Sequence, residues 1–350
     1  MKKDKGILAR TDALVRKAEE KGIDSIVVAS PANVKAYSGV DCDSAILELR
    51  ESRLGRGWSA TLFTDFRYAP MVRRLFPRLE TRDISRFRPR GDRIGYEGTI
   101  AHGRFLKWEQ KSPDGEFVDF SEDIAEVRAV KTEDEIARIR AAESLACEIW
   151  RDASKRFRAG MTERDMARTI KRMMLERGDG EAFETIVCIG ANAAECHHVP
   201  DDTVWNGRES VLVDMGVRLG GVASDLTRNL FPRPSRLYRQ VYQLVLEANL
   251  AAIAAAKPGI TGRALDRVAR KVIADGGFGE AFGHSLGHGV GYEIHEAPTA
   301  SKKSKTVLRP GMTVTIEPGI YLEGNLGVRI EDLVLITETG CEVLSSRADK

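Results

Sequence analysis

Carboxylates in apolar strands need a compensating partner, and the second half of this chain carries several. In Val211-Leu-Val-Asp-Met-Gly-Val217 the apolar run is interrupted by Asp214, and after Gly220-Gly221 the chain returns through Ala223-Ser-Asp225. A Gly-Gly turn between two such runs predicts a hairpin or tight strand pair, with the two aspartates facing each other across the ladder. Carboxylates that close repel, and one left unpaired among apolar side chains costs several kcal/mol. A divalent cation is the simplest compensation, although this pair alone also fits a turn cap plus a surface aspartate. The construction recurs. Glu317 ends a strand-like run in Met312-Thr-Val-Thr-Ile-Glu-Pro-Gly319, and Glu331 lies in Gly327-Val-Arg-Ile-Glu-Asp332. Arg329 and Glu331 share parity along that strand and project on one face, while Asp332 points to the other, which favours Glu331 as the ligand.

Histidine usage points the same way. Of six histidines only His102 lies outside the strand-rich segments of the second half. His197 and His198 are adjacent, and His284, His288 and His295 fall in Gly283-His-Ser-Leu-Gly-His-Gly-Val-Gly-Tyr-Glu-Ile-His-Glu-Ala-Pro298. The glycines of that run would let the backbone approach a site closely, and they disfavour a helix from His284 to His288. Asp214, Asp225, His288, Glu317 and Glu331 together make four carboxylates and one imidazole. Such an oxygen-rich set suits two hard or borderline divalent ions such as manganese, cobalt or zinc. Two ions a few ångströms apart hold a hydroxide at neutral pH and polarise a carbonyl oxygen, so hydrolysis is the natural reaction class.

These residues require elements that bring them together. Thr132-Glu-Asp-Glu135 predicts a capping box opening a long helix from Glu133 to Phe157, with Ile136, Ile139, Leu145, Ile149 and Trp150 as its buried stripe. The segment Ala159-Gly-Met-Thr-Glu-Arg-Asp-Met166 is then echoed by Pro258-Gly-Ile-Thr-Gly-Arg-Ala-Leu265, about 99 residues on. Each copy follows a long helix, the second running from Leu237 to Ala256, and each places a threonine at a helix N-cap. The helices so opened end at Gly178 and Gly277, and each is followed by a strand-rich region with paired carboxylates. Two similar halves facing each other would set those carboxylates in one cleft.

The first part of the chain reads differently. An amphipathic stretch from Ile7 to Lys21 precedes the β-branched run Asp24-Ser-Ile-Val-Val-Ala-Ser30, and Ala60-Thr-Leu-Phe-Thr-Asp65 leads into a helical pattern through Tyr68 and Leu75. This predicts a small α/β domain over residues 1–125 and a second domain over 126–350, in line with a length of 350 residues. With 54 Lys and Arg against 52 Asp and Glu, the formal charge of +2 is too small for a polyanion-binding surface, and nucleic acid is not an expected partner. The basic run from Arg82 to Arg93 reads as a solvated face. Five cysteines without CxxC spacing fit a reducing compartment. No apolar h-region follows the lysines of Met1 to Arg10, and no stretch approaches the roughly 18 apolar residues that span a bilayer. The expectation is a cytoplasmic protein with no membrane partner.

At the residues named, the sequence resembles the pita-bread metallopeptidases, in particular the Xaa-Pro dipeptidase (prolidase) and Xaa-Pro aminopeptidase branch. Asp214 with Asp225 eleven residues on, His288 in His-Gly-Val-Gly, Glu317 in Glu-Pro-Gly and Glu331 in Arg-Ile-Glu-Asp match that family's five metal ligands in order and context. The resemblance implies a pseudo-twofold catalytic domain holding two divalent ions, manganese or cobalt ahead of zinc. Asp225 and Glu331 would bridge them, Asp214 would complete one site, and His288 with Glu317 the other. Glu317 would also act as general base. His197 takes the place of a histidine near the scissile group and His295 that of one stabilising the carbonyl oxygen. His284 matches a further histidine of the proline-specific branch, and Arg329 an arginine behind the metals that orients Glu331 or meets the substrate. Asn33, Tyr37, Gly39 and Asp65-Phe-Arg-Tyr68 resemble the N-terminal domain of that branch, which implies a homodimer acting on short proline-containing peptides. One departure is Cys196 before His197, where many relatives have proline; it reads as an inert packing residue.

The first expectation is therefore hydrolysis of the Xaa-Pro bond in dipeptides. Its alternatives are an Xaa-Pro aminopeptidase acting on longer peptides and a metal-free binding protein on the same fold, the last disfavoured because all five ligands are present.

Overall fold

Helical stretches alternating with β-branched runs build a six-stranded mixed sheet at the start of the computed structural model, which describes residues 2–52 and 57–350, with side chains from residue 5. By compactness the chain forms one unit up to Arg128 and another of Ala129–Lys350. The first contains α1 (Lys2–Glu20), β1 (Ser25–Val28), α2 (Pro31–Ser38), β2 (Ala45–Glu51), β3 (Trp58–Thr64), α3 (Ala69–Leu75), β4 (Glu80–Asp83), β5 (Arg93–Tyr96), α4 (His102–Lys111), β6 (Glu116–Asp119) and α5 (Ser121–Ala129). The strand order is β4-β3-β2-β1-β5-β6, with β1 antiparallel to β2 and parallel to β5. Pro31 opens α2 and Gly39, at φ 77°, closes it in the left-handed region. Asn33 and Tyr37 serve this unit internally: Asn33 Oδ1 accepts from Arg128 at 2.6 Å and the Tyr37 hydroxyl donates to the Ile124 carbonyl at 2.6 Å. Arg82, Arg86, Arg88 and Arg90 are exposed around buried Phe87, the solvated face expected of that basic run.

The second unit shows the repeat directly. Its first half holds α6 (Glu133–Ser154), α7 (Glu163–Arg177), β7 (Gly180–Glu181), β8 (Ile186–Ile189), β9 (Val211–Met215), β10 (Val217–Leu219), β11 (Val222–Ala223) and β12 (Leu226–Leu230). The other half holds α8 (Arg236–Ala255), α9 (Gly262–Asp275), β13 (Gly287–Gly289), β14 (Glu296–Ala300), β15 (Thr313–Ile316), β16 (Gly319–Leu322), β17 (Leu326–Arg329), β18 (Asp332–Ile336) and β19 (Cys341–Val343). The capping box of Thr132 and Glu135 opens α6, and Thr162 and Thr261 cap α7 and α9. Both threonines also sit on an isolated antiparallel bridge, Thr162 with Val204 and Thr261 with Val307. The amides of Gly160 and Gly259 donate to Trp205 and Leu308 in the same relation. Each half buries one face of its helix pair, with Trp150, Met166 and Ile170 against Val213 in the first and Val245 and Leu265 against Ile316 and Val334 in the second. The result within this unit is the pita-bread arrangement, and the first unit by itself is a small α/β domain.

Several local expectations need correction. Helix α6 stops at Ser154 rather than Phe157. Helix α9 ends at Asp275 with Gly276 as its cap, and Gly277 is the left-handed residue beyond. Gly220 and Gly221 do turn a hairpin, but Asp214 and Asp225 are not opposite each other on it. Asp214 of β9 faces Thr227 of β12, and Asp225 lies two residues earlier, at the break between β11 and β12. The run from Gly327 to Asp332 is two strands that bend at Ile330 and Glu331. Among the described residues no helix is long and apolar enough to cross a membrane.

Candidate metal centre

One cleft of about 440 Å³ in the second unit is lined by Asp214, Asp225, His288, Glu317 and Glu331, and by His197, His284, His295 and Arg329 as well. Asp332 is absent from its walls. It is fully buried away from the cleft, paired with Arg228 at 2.9 Å and Lys350 at 2.6 Å, although the break at Ile330 and Glu331 means that parity along one strand is not what separates it from Glu331.

Four of the five candidate ligands are placed by amides that bond away from their own strand. The Asp225 amide donates to Glu143 Oε2 of α6 at 3.1 Å. Those of Glu317 and Glu331, both at strand breaks, donate to the carbonyls of Leu286 at 2.9 Å and Thr227 at 3.3 Å. The His288 amide donates to Thr315 Oγ1 at 3.0 Å. Two threonine hydroxyls then fix carboxylates, Thr315 donating to Glu317 Oε1 at 3.2 Å and Thr227 to Glu331 Oε2 at 2.7 Å. The glycines around His288 do different work from that expected. A Cβ on Gly287 would stand 1.9 Å from the Thr315 carbonyl oxygen, and one on Gly289 2.2 Å from that of Ala297. They let β13 lie tightly between its neighbours, which aims His288, rather than admitting a ligand to the backbone.

The electrostatics call for a cation. His288 Nδ1 is 3.1 Å from the Gly289 carbonyl oxygen, which only accepts, so the ring proton sits on Nδ1. Burial lowers the imidazole pKa to about 4 and keeps it neutral. Its Nε2 lone pair therefore faces Glu317 Oε1 at 3.3 Å and Asp225 Oδ2 at 3.6 Å. An imidazole lone pair and two carboxyl groups thus converge, and without a cation the carboxyl groups are driven to hold protons. Burial, then the neighbouring Glu331, Asp214 and Glu317, pushes Asp225 well up. Burial likewise raises Glu317 to about 8 against the opposing pull of Arg329, and drives Glu331 well up, with Glu317 and Asp214 adding to it. Asp214 Oδ1 is buried without a hydrogen-bond partner among the described residues. Asp225, His288 and Glu331 offer atoms within 4.8 Å of one another, and this donor set fits hard or borderline divalent ions.

Around this centre lies a hydrogen-bonded chain only partly legible beforehand. Buried Arg329 donates from Nη2 to Asp214 at 2.6 Å, from Nε to Thr227 Oγ1 at 3.1 Å and from Nη1 to the Tyr321 hydroxyl at 2.9 Å. His284 Nδ1 meets the Ser285 carbonyl at 2.8 Å, so its Nε2 accepts from Tyr321 at 2.9 Å. The His295 ring packs edge-on against His288 with centroids 4.3 Å apart. His197 is exposed at the rim, and Cys196 is half-buried with its thiol pushed up by burial, an unreactive state. Tyr321, Thr227, Thr315 and Glu143 were missed. The threonines carry a partial signal, since each stands two positions from a candidate carboxylate, although Thr227 bonds Glu331 rather than its neighbour Asp225. Tyr321 and Glu143 carry none.

Comparison with known proteins agrees with this geometry. Residues 137–338 match the model of metallopeptidase family M24, and residues 10–130 that of the creatinase/prolidase N-terminal domain. The Xaa-Pro dipeptidase of Pyrococcus furiosus is 35% identical over 96% of this chain and 97% of its own. The prolidase structure from Pyrococcus horikoshii OT3 superposes with a TM-score of 0.90 at 31% identity, covering 98% of this chain and 99% of that one. The X-Pro aminopeptidase from Thermotoga maritima MSB8 gives 0.82 at 32% identity, over 94% and 97% of the two chains. With a converging acceptor cluster in a repeated two-helix architecture, and these matches along nearly its whole length, the chain belongs to metallopeptidase family M24.

Proposed function

We propose that this chain is a prolidase, hydrolysing the Xaa-Pro bond of dipeptides with two divalent ions, manganese or cobalt ahead of zinc. The observation that carries the reading is the neutral His288 Nε2 lone pair turned toward Asp225 and Glu317, buried groups that a divalent cation would hold ionised together at neutral pH. Asp225 and Glu331 would be shared by both ions, Asp214 would complete one set and His288 with Glu317 the other. When bound, such ions supply Lewis acidity toward the scissile carbonyl and make a nucleophile available at neutral pH.

The protein's own groups do the rest. Glu317, held by Thr315, takes the proton from the attacking water and passes it to the proline nitrogen. His295 donates to the carbonyl oxygen as charge develops there, and His197 holds the substrate from the rim. Both nitrogens of His284 are engaged internally, so it offers a ring edge to the proline rather than a hydrogen bond. The donors of Arg329 are engaged by Asp214, Thr227 and Tyr321, which supports the orienting role over substrate contact.

The test is turnover of Ala-Pro against Ala-Pro-Ala by metal-stripped protein re-supplied with manganese, cobalt or zinc. Faster dipeptide turnover is expected, and a strong tripeptide preference would overturn the dipeptidase reading in favour of an aminopeptidase. Asp225→Ala should lower kcat about 10³-fold, the equivalent of about 4 kcal/mol of lost transition-state stabilisation. A wild-type protein that retains no metal would instead make the chain a binding protein. The dimer expected from the resemblance belongs to the same reading and is checked by sedimentation.

A further inference from the structure

His197 lines the cleft, yet its ring makes no hydrogen bond among the described residues, so its placement comes from the chain that carries it. That chain runs from the end of β8 to Thr203 and is gathered by one side chain. Glu163, the first residue of α7 and fully buried, accepts from the Ile189 amide at 2.6 Å and Asn192 Nδ2 at 2.9 Å on one oxygen. On the other it accepts from the Asp201 amide at 3.0 Å and meets His198 Nε2 at 2.7 Å. His198 Nδ1 meets Glu195 Oε2 at 3.0 Å on the ring's far side. Both nitrogens of a buried imidazole thus face carboxylate oxygens, and a neutral ring donates from only one of them.

We propose that His198, as an imidazolium clamped between Glu163 and Glu195, is the positioning residue that presents its neighbour His197 to the substrate in the cleft. The proposal rests on the peptidase reading above. The charged groups facing His198 are Glu163 from α7 and Glu195 and Asp201 from its own loop, all acidic. Burial opposes the charge, but the hydrogen bonds to Glu195 and Glu163 outweigh it and raise the imidazole above its ordinary value. Glu163, His198 and Asp201 are close enough to hold a metal, but both Glu163 oxygens are already filled by donors and His198 takes the remaining direction. The ring thus replaces a cation there.

Two measurements on metal-free protein test this without any turnover. NMR titration of His198 and amide hydrogen exchange of residues 189–203 should move together, with protection lost as pH rises through the His198 midpoint. Glu195 is exposed, so Glu195→Gln leaves the fold intact, and it should move both midpoints down together. Exchange that ignores the titration in both proteins would overturn the proposal, as would a metal bound with His198 as a ligand. On loaded enzyme, His198→Gln should lower kcat toward Ala-Pro about tenfold with KM and metal content little changed, because His197 is misplaced rather than removed. It should also lose the alkaline limb that the wild type shows. An unchanged kcat and pH profile would refute the clamp. A wild type that binds metal but cleaves no Xaa-Pro peptide would sink the peptidase reading while leaving the loop result standing.

Discussion

The two halves of the second unit solve one problem with different chemistry. Each must hold an irregular segment that delivers a histidine to the cleft, and each does so from the start of its second helix. In the first half Glu163 follows the N-cap threonine and ties the segment around His197 through His198. In the second half Gly262 takes the corresponding place, where a Cβ would stand 2.2 Å from the Thr299 carbonyl oxygen. The carboxylate has moved one turn along the helix to Asp266, which accepts from the Leu286 amide at 3.2 Å and pairs with Arg270 at 2.7 Å. Arg270 in turn donates to the carbonyls of Phe282 and His284 at 2.8 and 2.9 Å. The counter-charge is therefore a histidine in one half and an arginine in the other. A guanidinium stays charged at any physiological pH, whereas an imidazole does not. One segment is fastened permanently and the other conditionally.

This contrast can be attacked at three points. The largest effect should come from Arg270→Ala, which leaves the nearly buried Asp266 carboxylate without its cation and two carbonyls without a donor. A loss of about 3 kcal/mol is expected in denaturant unfolding, and Asp266→Asn added to it should restore part of that if the charge is the cause. Gly262→Ala comes next, at about 2 kcal/mol, because the new methyl meets backbone oxygen rather than a movable side chain. Its wild-type counterpart, Glu163, shows that the first half has room where the second does not. The smallest effect is the most diagnostic. His198→Gln should cost about 1 kcal/mol in acid. Because the folded-state pKa of His198 is raised, its contribution is fully present below the unfolded value of about 6.5 and disappears as pH rises through the folded one. The stability gap between wild type and variant should close toward alkaline pH, while the Arg270→Ala gap stays constant across the same range.

What could be read from the sequence divides along physical lines. The helix starts were legible because capping is local: Thr132, Thr162 and Thr261 need only the residues that follow them. The four carboxylates were legible as charges in apolar runs and His284, His288 and His295 as histidines among glycines, while His197 and Arg329 took their roles from the resemblance; all nine line the cleft. The register between Asp214 and Asp225 was not, since the break at Ser224 and Asp225 depends on the Asp225 amide bonding to Glu143, far back in α6. The glycines near His288 were given the wrong purpose for the same reason, their neighbours being the strand of Thr315 and the chain at Ala297. Tyr321 looked like any strand aromatic until its hydroxyl was seen between Arg329 and His284.

The amides of Asp225, Glu317 and Glu331 all bond to segments other than their own strand. In each case the partner is remote in the chain, Glu143 for the first, Leu286 for the second and Thr227 for the third. Asp225 and Glu317 find these partners inside their own halves, whereas Glu331 is held from the other half, so a fragment carrying only the second half would keep Glu317 in place and leave Glu331 without its Thr227 carbonyl. The candidate set is complete only where the two halves meet, since Asp214 and Asp225 come from one and His288, Glu317 and Glu331 from the other.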